Sequence, residues 1–188
     1  MAVTEPIRGR YVDLLPCTED DAAFTRAIRK APEFVKFLPV IDNTIEQQRT
    51  WIRRQREKDG DYFFVVWDKE GNRIGTISIY NVHGNRAEGG RLAIKGRNAF
   101  QGIEAQLLSF RFAFGKLGLE CIDGFIFADN DRAIRFNKQF SGCQYPPEIN
   151  QDGRAIIRIE NWREDFEKVD RRLSSILYRE KSFEGVLK

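Results

Sequence analysis

Between residues 87 and 128 the apolar pattern switches from strand to helix and back to strand, and this alternation constrains the fold most. Residues 87–95 and 122–128 read as strands. Between them Ile103, Leu107, Phe110, Phe114 and Leu117 recur at spacings of four, three, four and three, which is one face of a helix. Gly118 stops that helix. Two strands joined through a helix are parallel neighbours with a right-handed crossover. The crossover leaves the helix start, expected at Gly102, beside a strand end. The unpaired N–H groups of such a start suit a pyrophosphate.

The other elements follow from capping and turn signals. Residues 7–15 read as one strand. Thr18 with Asp21, and Thr44 with Gln47, have capping-box spacing and open helices to about residues 30 and 58, with Trp51 and Ile52 on the inner face of the second. Residues 62–67 form an aromatic and β-branched strand. Turns at 69–72 and 83–85 then make it the first of three antiparallel strands, followed by 73–82 and 87–95. Asn130 caps a helix to about residue 140, residues 155–159 form a late strand, and Asn161 caps a final helix to about residue 178. The expected class is α/β: a mixed, mostly antiparallel central sheet with helices on both faces, in a single domain spanning residues 1–188.

Thirty-one basic and 28 acidic side chains are well mixed, for a formal charge of +3. No dense basic stripe stands out, so nucleic acid is not expected as a partner. Cys17, Cys121 and Cys143 lie far apart with no C-x-x-C pair, as suits thiols in a reducing cytosol, and no metal is expected. No basic-then-apolar leader and no apolar run of membrane-spanning length occur. The expected location is cytoplasmic, with no membrane partner.

The frame Arg97-x-x-Phe100-x-Gly102, then Ile103-Glu104-Ala105, and the later run Asn130-Asp131-Arg132-Ala133 resemble the GNAT acetyltransferase superfamily. In element order the resemblance covers most of the chain. At the level of motifs it covers residues 88–142. Phe100 stands where the family's loop usually has its first glycine, and a side chain there narrows the backbone's approach to a pyrophosphate.

The resemblance implies acetyl-CoA or a longer acyl-CoA as donor and an amine as acceptor. It implies that the backbone of Leu92, Ala93 and Ile94 holds the pantetheine like an added strand. Arg97, Asn98 and Gln101 would meet phosphates, and Gly102, Ile103 and Glu104 would supply helix-start N–H groups. Family enzymes often have a tyrosine, as general acid, where this chain has Asn137; an amide cannot deliver that proton and at most bonds the coenzyme.

For the base there are two candidates: Glu88, resembling a frequent acidic residue of the family, and His83, the only histidine, whose ordinary pKa suits an ammonium proton. Asn130 would contact coenzyme or substrate. Phe34, Phe37 and Trp51 lie where the family's first helices form the acceptor site. The absence of the tyrosine, the loop and the run Arg86-Ala87-Glu88-Gly89-Gly90-Arg91 resemble the branch acting on nucleotide-linked amino sugars. A protein N-terminus or another small amine is the alternative acceptor. A coenzyme-binding module without turnover is the alternative class. The late strand and final helix suggest a possible homodimer.

Overall fold

The computed structural model describes residues 5–38 and 41–179. In chain order the elements are β1 (Ile7–Arg8), β2 (Val12–Pro16), α1 (Ala22–Arg29), α2 (Pro32–Val35), α3 (Ile45–Glu57), β3 (Tyr62–Asp68), β4 (Arg73–His83) and β5 (Arg86–Ile94). Then come α4 (Ala99–Arg111), β6 (Cys121–Phe127), α5 (Asp131–Asn137), β7 (Cys143–Gln144), β8 (Glu148–Ile149), β9 (Ala155–Trp162) and α6 (Arg163–Leu177). The strands make one sheet in the order β1-β2-β3-β4-β5-β6-β9-β7, with β8 beside β9. Among the described residues only β5 and β6 pair in parallel, as the intervening helix requires. The sheet is therefore mixed and mostly antiparallel, as expected.

Alternation along the strands sorts the side chains to two faces. Leu14, Phe64, Ile77, Ile79 and Ile122 pack beneath α4 and α6 with Leu107, Phe110, Phe112 and Phe166. On the opposite face Phe63 and Val65 pack against Cys17, Ala22 and Ile52 of the α1–α3 layer. The Thr44–Gln47 box forms in both directions, with Thr44 N donating to Gln47 Oε1 at 2.7 Å and Gln47 N to Thr44 Oγ1 at 3.1 Å.

Four local expectations are corrected. Residues 7–15 are two strands folded back on each other, with Ile7 opposite Leu14. The cause is Glu104, fully buried on α4, whose carboxylate accepts the N–H groups of Arg10, Tyr11 and Val12 at 2.8, 2.6 and 2.8 Å. A side chain from a distant helix thus satisfies the donors that a continuous strand would have given to a neighbour. Asn161 caps nothing: it lies in β9 opposite Ile122, and α6 begins after Trp162. Trp51 is 38% exposed although its neighbour Ile52 is fully buried.

The fourth correction concerns α4, which opens at Asn98, four residues before Gly102. The N–H groups of Gly102, Ile103 and Glu104 therefore lie inside the helix, where the carbonyls four residues earlier take them.

Candidate active site

The sheet opens beside β5. Arg86, Ala87 and Glu88 pair with Cys121, Ile122 and Asp123, and there the pairing of β5 with β6 stops, although both strands continue. Gly124 comes close to the Gly89 carbonyl just past the last pair, since a Cβ on Gly124 would lie 3.5 Å from that oxygen. Beyond it the backbone edge of Gly90 to Ile94 faces an opening instead of a strand. A β-bulge produces the divergence: Thr76 pairs with Ala93 but Ser78 with Gly90, so β5 carries one residue more than β4. Arg91 sits in this bulge with a left-handed φ of 50°.

A charged side chain at a left-handed position needs support. Arg91 donates to Asp61 through both terminal nitrogens, at 2.6 and 3.0 Å. Its guanidinium lies 4.4 Å from the Tyr80 ring centroid and 5.1 Å from that of Trp51. Thr76 Oγ1 donates to its carbonyl at 2.7 Å. No local pattern announces this bulge, because arginine has no preference for the left-handed region; the Gly89-Gly90 pair next to it is the one available signal.

Both helix starts flank the opening, α4 after the end of β5 and α5 after the end of β6. At the first, Asn98 Oδ1 accepts Gln101 N at 3.3 Å, and Gln101 Oε1 accepts Arg97 N at 2.7 Å. Asn98 and Gln101 thus close the loop on itself and leave the Ala99 and Phe100 N–H groups directed out of the helix end. The Phe100 ring packs on Tyr11 at 5.3 Å between centroids. Arg97 pairs with Glu70 on the β3–β4 turn, and both side chains are 64% exposed, so the pair contributes about 0–1 kcal/mol and leaves the arginine able to swing. At the second start Asn130 Oδ1 accepts Ala133 N at 3.1 Å. Asn137 turns its amide back on its own helix, donating to the Ala133 carbonyl at 2.9 Å.

The helix α2 spans the mouth of the opening. Glu33 pairs with Lys95 beyond the end of β5 at 2.9 Å, and Lys36 pairs with Asp129 beyond the end of β6 at 2.7 Å. Phe37 packs against Phe127 at 6.4 Å, and Arg154 stacks on the other partner of that contact at 3.4 Å from the Phe127 centroid. Phe37 therefore stands over the gap, Phe34 is carried on α2 just before it, and Trp51 stands over the bulge through Arg91.

Glu88 sits at the apex, the last residue at which β5 and β6 are paired. It accepts a hydrogen bond from Asn81 Nδ2 at 3.1 Å. Asp123 lies across from it on β6 and Glu160 beyond that on β9. Arg86 bonds both Asp123 and Glu160, the latter at 2.6 Å, so the acidic row carries its own counter-ion. Cys121 approaches those two carboxylates, but the guanidinium bonded to both already answers their charge. Burial, and then Asp123, push the Cys121 thiol up to about 12, so it is no nucleophile. His83 ends β4 opposite Arg86, exposed and on the far side of Glu88 from the opening, with Nδ1 3.0 Å from the Asn81 carbonyl. The structure thus gathers Glu88, Leu92, Ala93, Ile94, Asn130, Phe34 and Phe37 about one gap. His83 faces away from it, Arg97 is turned to Glu70, and the carboxylate of Glu104 is spent on the β1–β2 turn. Tyr80 and Asn81 belong to the same gap and were not singled out from the sequence; Arg91 was, but only as the end of the run from Arg86.

A family model described as an acetyltransferase (GNAT) domain matches residues 12–140, well over half of the chain. The chain belongs to the GNAT family. It is an acyl-CoA-dependent N-acyltransferase by that membership. Among solved structures, one described as apo FdhC, a nucleotide-linked sugar GNAT, superposes with a TM-score of 0.76 at 19% identity, covering 94% of this chain and 97% of that one. A GCN5-related N-acetyltransferase from Brucella melitensis gives 0.77 at 18% identity, with 93% and 86% covered. A spermidine N-acetyltransferase SpeG chimera from Vibrio cholerae and hSSAT gives 0.72 at 16%, with 84% and 99% covered. At these identities the likeness is one of fold. A comparison with curated protein sequences found no match.

Proposed function

We propose that the protein transfers an acyl group from acetyl-CoA or a longer acyl-CoA to the primary amine of a nucleotide-linked amino sugar, acting as one domain in the cytoplasm. The observation that carries the reading is the gap beside Gly90 to Ile94, with a carboxylate, Glu88, at its apex. Pantetheine amides pair with the free edge of Leu92, Ala93 and Ile94 as an added strand would. The pyrophosphate lies at the start of α4, near Asn98, Gln101 and a swung Arg97. Gly102 leaves room on that path, and Asn130 meets the coenzyme from the other wall.

The amine attacks the thioester carbonyl carbon directly, and the C–S bond breaks as the amide C–N bond forms. Glu88 takes the proton that the attacking nitrogen loses, itself or through one water. A backbone N–H of the free β5 edge stabilises the developing oxyanion. The thiolate leaves as such and is protonated by water, because Asn137 has no acidic proton to give. His83 is the second candidate for the base, reached only through Asn81. Phe34, Phe37 and Trp51 wall the acceptor side.

The sugar acceptor is supported by the motif at residues 86–91 and by the fold shared with a nucleotide-linked sugar GNAT. The fold shared with a spermidine N-acetyltransferase favours a different small amine as second reading. A homodimer through β9 and α6 is part of the proposal. The test is free-thiol release from acetyl-CoA and 3-hydroxybutyryl-CoA against nucleotide-linked amino sugars, polyamines, amino acids and peptides. Turnover with one sugar amine is the expected result. Turnover with polyamines alone overturns the acceptor, and coenzyme binding with no thiol release from any amine overturns catalysis. Glu88→Gln should abolish turnover under saturating donor while His83→Asn keeps it; the reverse pattern moves the base to His83.

A further inference from the structure

In a regular strand Tyr80 and Asn81 would point to opposite faces of the sheet. They do not, because β4 has its own bulge. Tyr80 pairs with Glu88 and His83 with Arg86, which leaves one extra residue in β4, and Asn81 adopts a left-handed φ of 51°. The bulge lets consecutive side chains meet one carboxylate. Asn81 reaches Glu88 Oε1 with its amide nitrogen at 3.1 Å, and Tyr80 is the direct cross-strand neighbour of Glu88.

Each of the two is itself held. Lys58 Nζ donates to Asn81 Oδ1 at 3.3 Å, which orients the amide with its nitrogen toward Glu88. Tyr80 leans along β5 over Gly90, where an added Cβ would come within 2.8 Å of the phenol oxygen and 3.0 Å of the ring. Arg91 covers the same ring at 4.4 Å. Burial, and then the Glu88 carboxylate, push the phenol up to about 12. It therefore keeps its proton through the neutral range and has that proton to offer its cross-strand neighbour Glu88.

We propose that Tyr80 and Asn81 are positioning residues that together aim the Glu88 carboxylate into the gap, and that the left-handed turn at Asn81 and the missing side chain at Gly90 exist to make this grip possible. The inference rests on Glu88 being the base of the proposed transfer. The charged groups around Glu88 are Arg86 on its own strand, Asp123 on β6 and Glu160 on β9, both bonded by Arg86. Arg91 faces the bulge, paired with Asp61, while Lys58 comes from the end of α3 and acts through Asn81. Arg29, from α1, lies near Tyr80 and Arg91. None of these is altered by the test variants.

Tyr80→Phe keeps the ring and its stacking but removes the donor. Asn81→Gly keeps the left-handed backbone but removes the amide. Each should lower kcat about tenfold with the donor KM changed less than about twofold, because on this proposal both act through Glu88. Gly90→Ala should act through Tyr80, so its effect on kcat and that of Tyr80→Phe should be less than additive. Thermal midpoints of all variants serve as folding controls.

If Glu88→Gln is inactive while Tyr80→Phe and Asn81→Gly keep normal kcat, the positioning role is wrong and the base stands. A donor KM that rises in step with the loss of kcat overturns the positioning role as well. If Glu88→Gln retains turnover, the reading of Glu88 on which the inference depends has failed.

Discussion

Asp61 and Arg91 form a two-pronged ion pair at the one residue of β5 that adopts a left-handed backbone. Asp61 ends the loop between α3 and β3, so the pair fastens the bulge to the α3 layer and keeps β5 turned away from β6. Removing the acid leaves a mostly buried guanidinium without its carboxylate, which costs about 3 kcal/mol or more. Asp61→Ala should therefore show that loss in urea denaturation. Arg91→Lys should not restore the pair, because an ammonium neither makes both bonds nor stacks on Tyr80.

Glu104 supplies the second long-range tether. Its carboxylate takes three consecutive N–H groups of the β1–β2 turn, and Gly9 leaves the space it occupies, since a Cβ there would lie 2.6 Å from Glu104 Oε2. Glu104→Ala takes the acceptor from three donors, of which the buried Val12 N–H alone is worth about 1–3 kcal/mol when left unmet. The expected result is a loss of about 3 kcal/mol or more by denaturant unfolding. Gly9→Ala should be destabilising for the same steric reason.

Gly102 should behave in the opposite way. A Cβ there meets only Phe136, at an ordinary 3.7 Å, and alanine is favoured over glycine inside a helix by up to about 1 kcal/mol. Gly102→Ala is expected to hold or raise the thermal midpoint. Under the proposed function it should raise the KM for acyl-CoA about tenfold, because the glycine then serves the approach of the coenzyme and not the packing of α4. An unchanged KM would remove Gly102 from the coenzyme path.

Acid should unfold the protein through its bonded carboxylates. Burial raises the Asp13 pKa, but hydrogen bonds from Lys69 and Arg8 outweigh it and leave the group below its ordinary value. The bond from Tyr145 is the largest influence holding Glu160 low. A carboxylate depressed in the folded state adds stability above its unfolded pKa and loses it as pH falls through the folded value. The thermal midpoint should be level from about pH 5 to 7 and fall below about pH 4. Asp13→Asn should lower the midpoint at pH 7 and flatten the acid limb.

The part of the fold around β5, α4 and β6 was legible in the chain because its signals are local. Thr44 with Gln47, and Asn130 with Ala133, lie within four residues of each other and close their bonds inside one turn, whereas the bond of Asn98 with Gln101 opens α4 four residues before the start expected at Gly102. The spacing of Ile103, Leu107, Phe110 and Phe114 carries the crossover helix for the same reason, and that helix makes β5 and β6 parallel. Tertiary structure decided everything that depends on partners far apart in sequence. Glu104 bends the segment 7–15 from a distance of more than 90 residues, and Asp61 stabilises a backbone angle that arginine would not choose alone. Where β5 and β6 part, and which side chains then surround Glu88, depends on two bulges at Asn81 and Arg91. A bulge shifts register by one residue at the cost of a strained angle, and only the contacts on either side of it determine whether that cost is met.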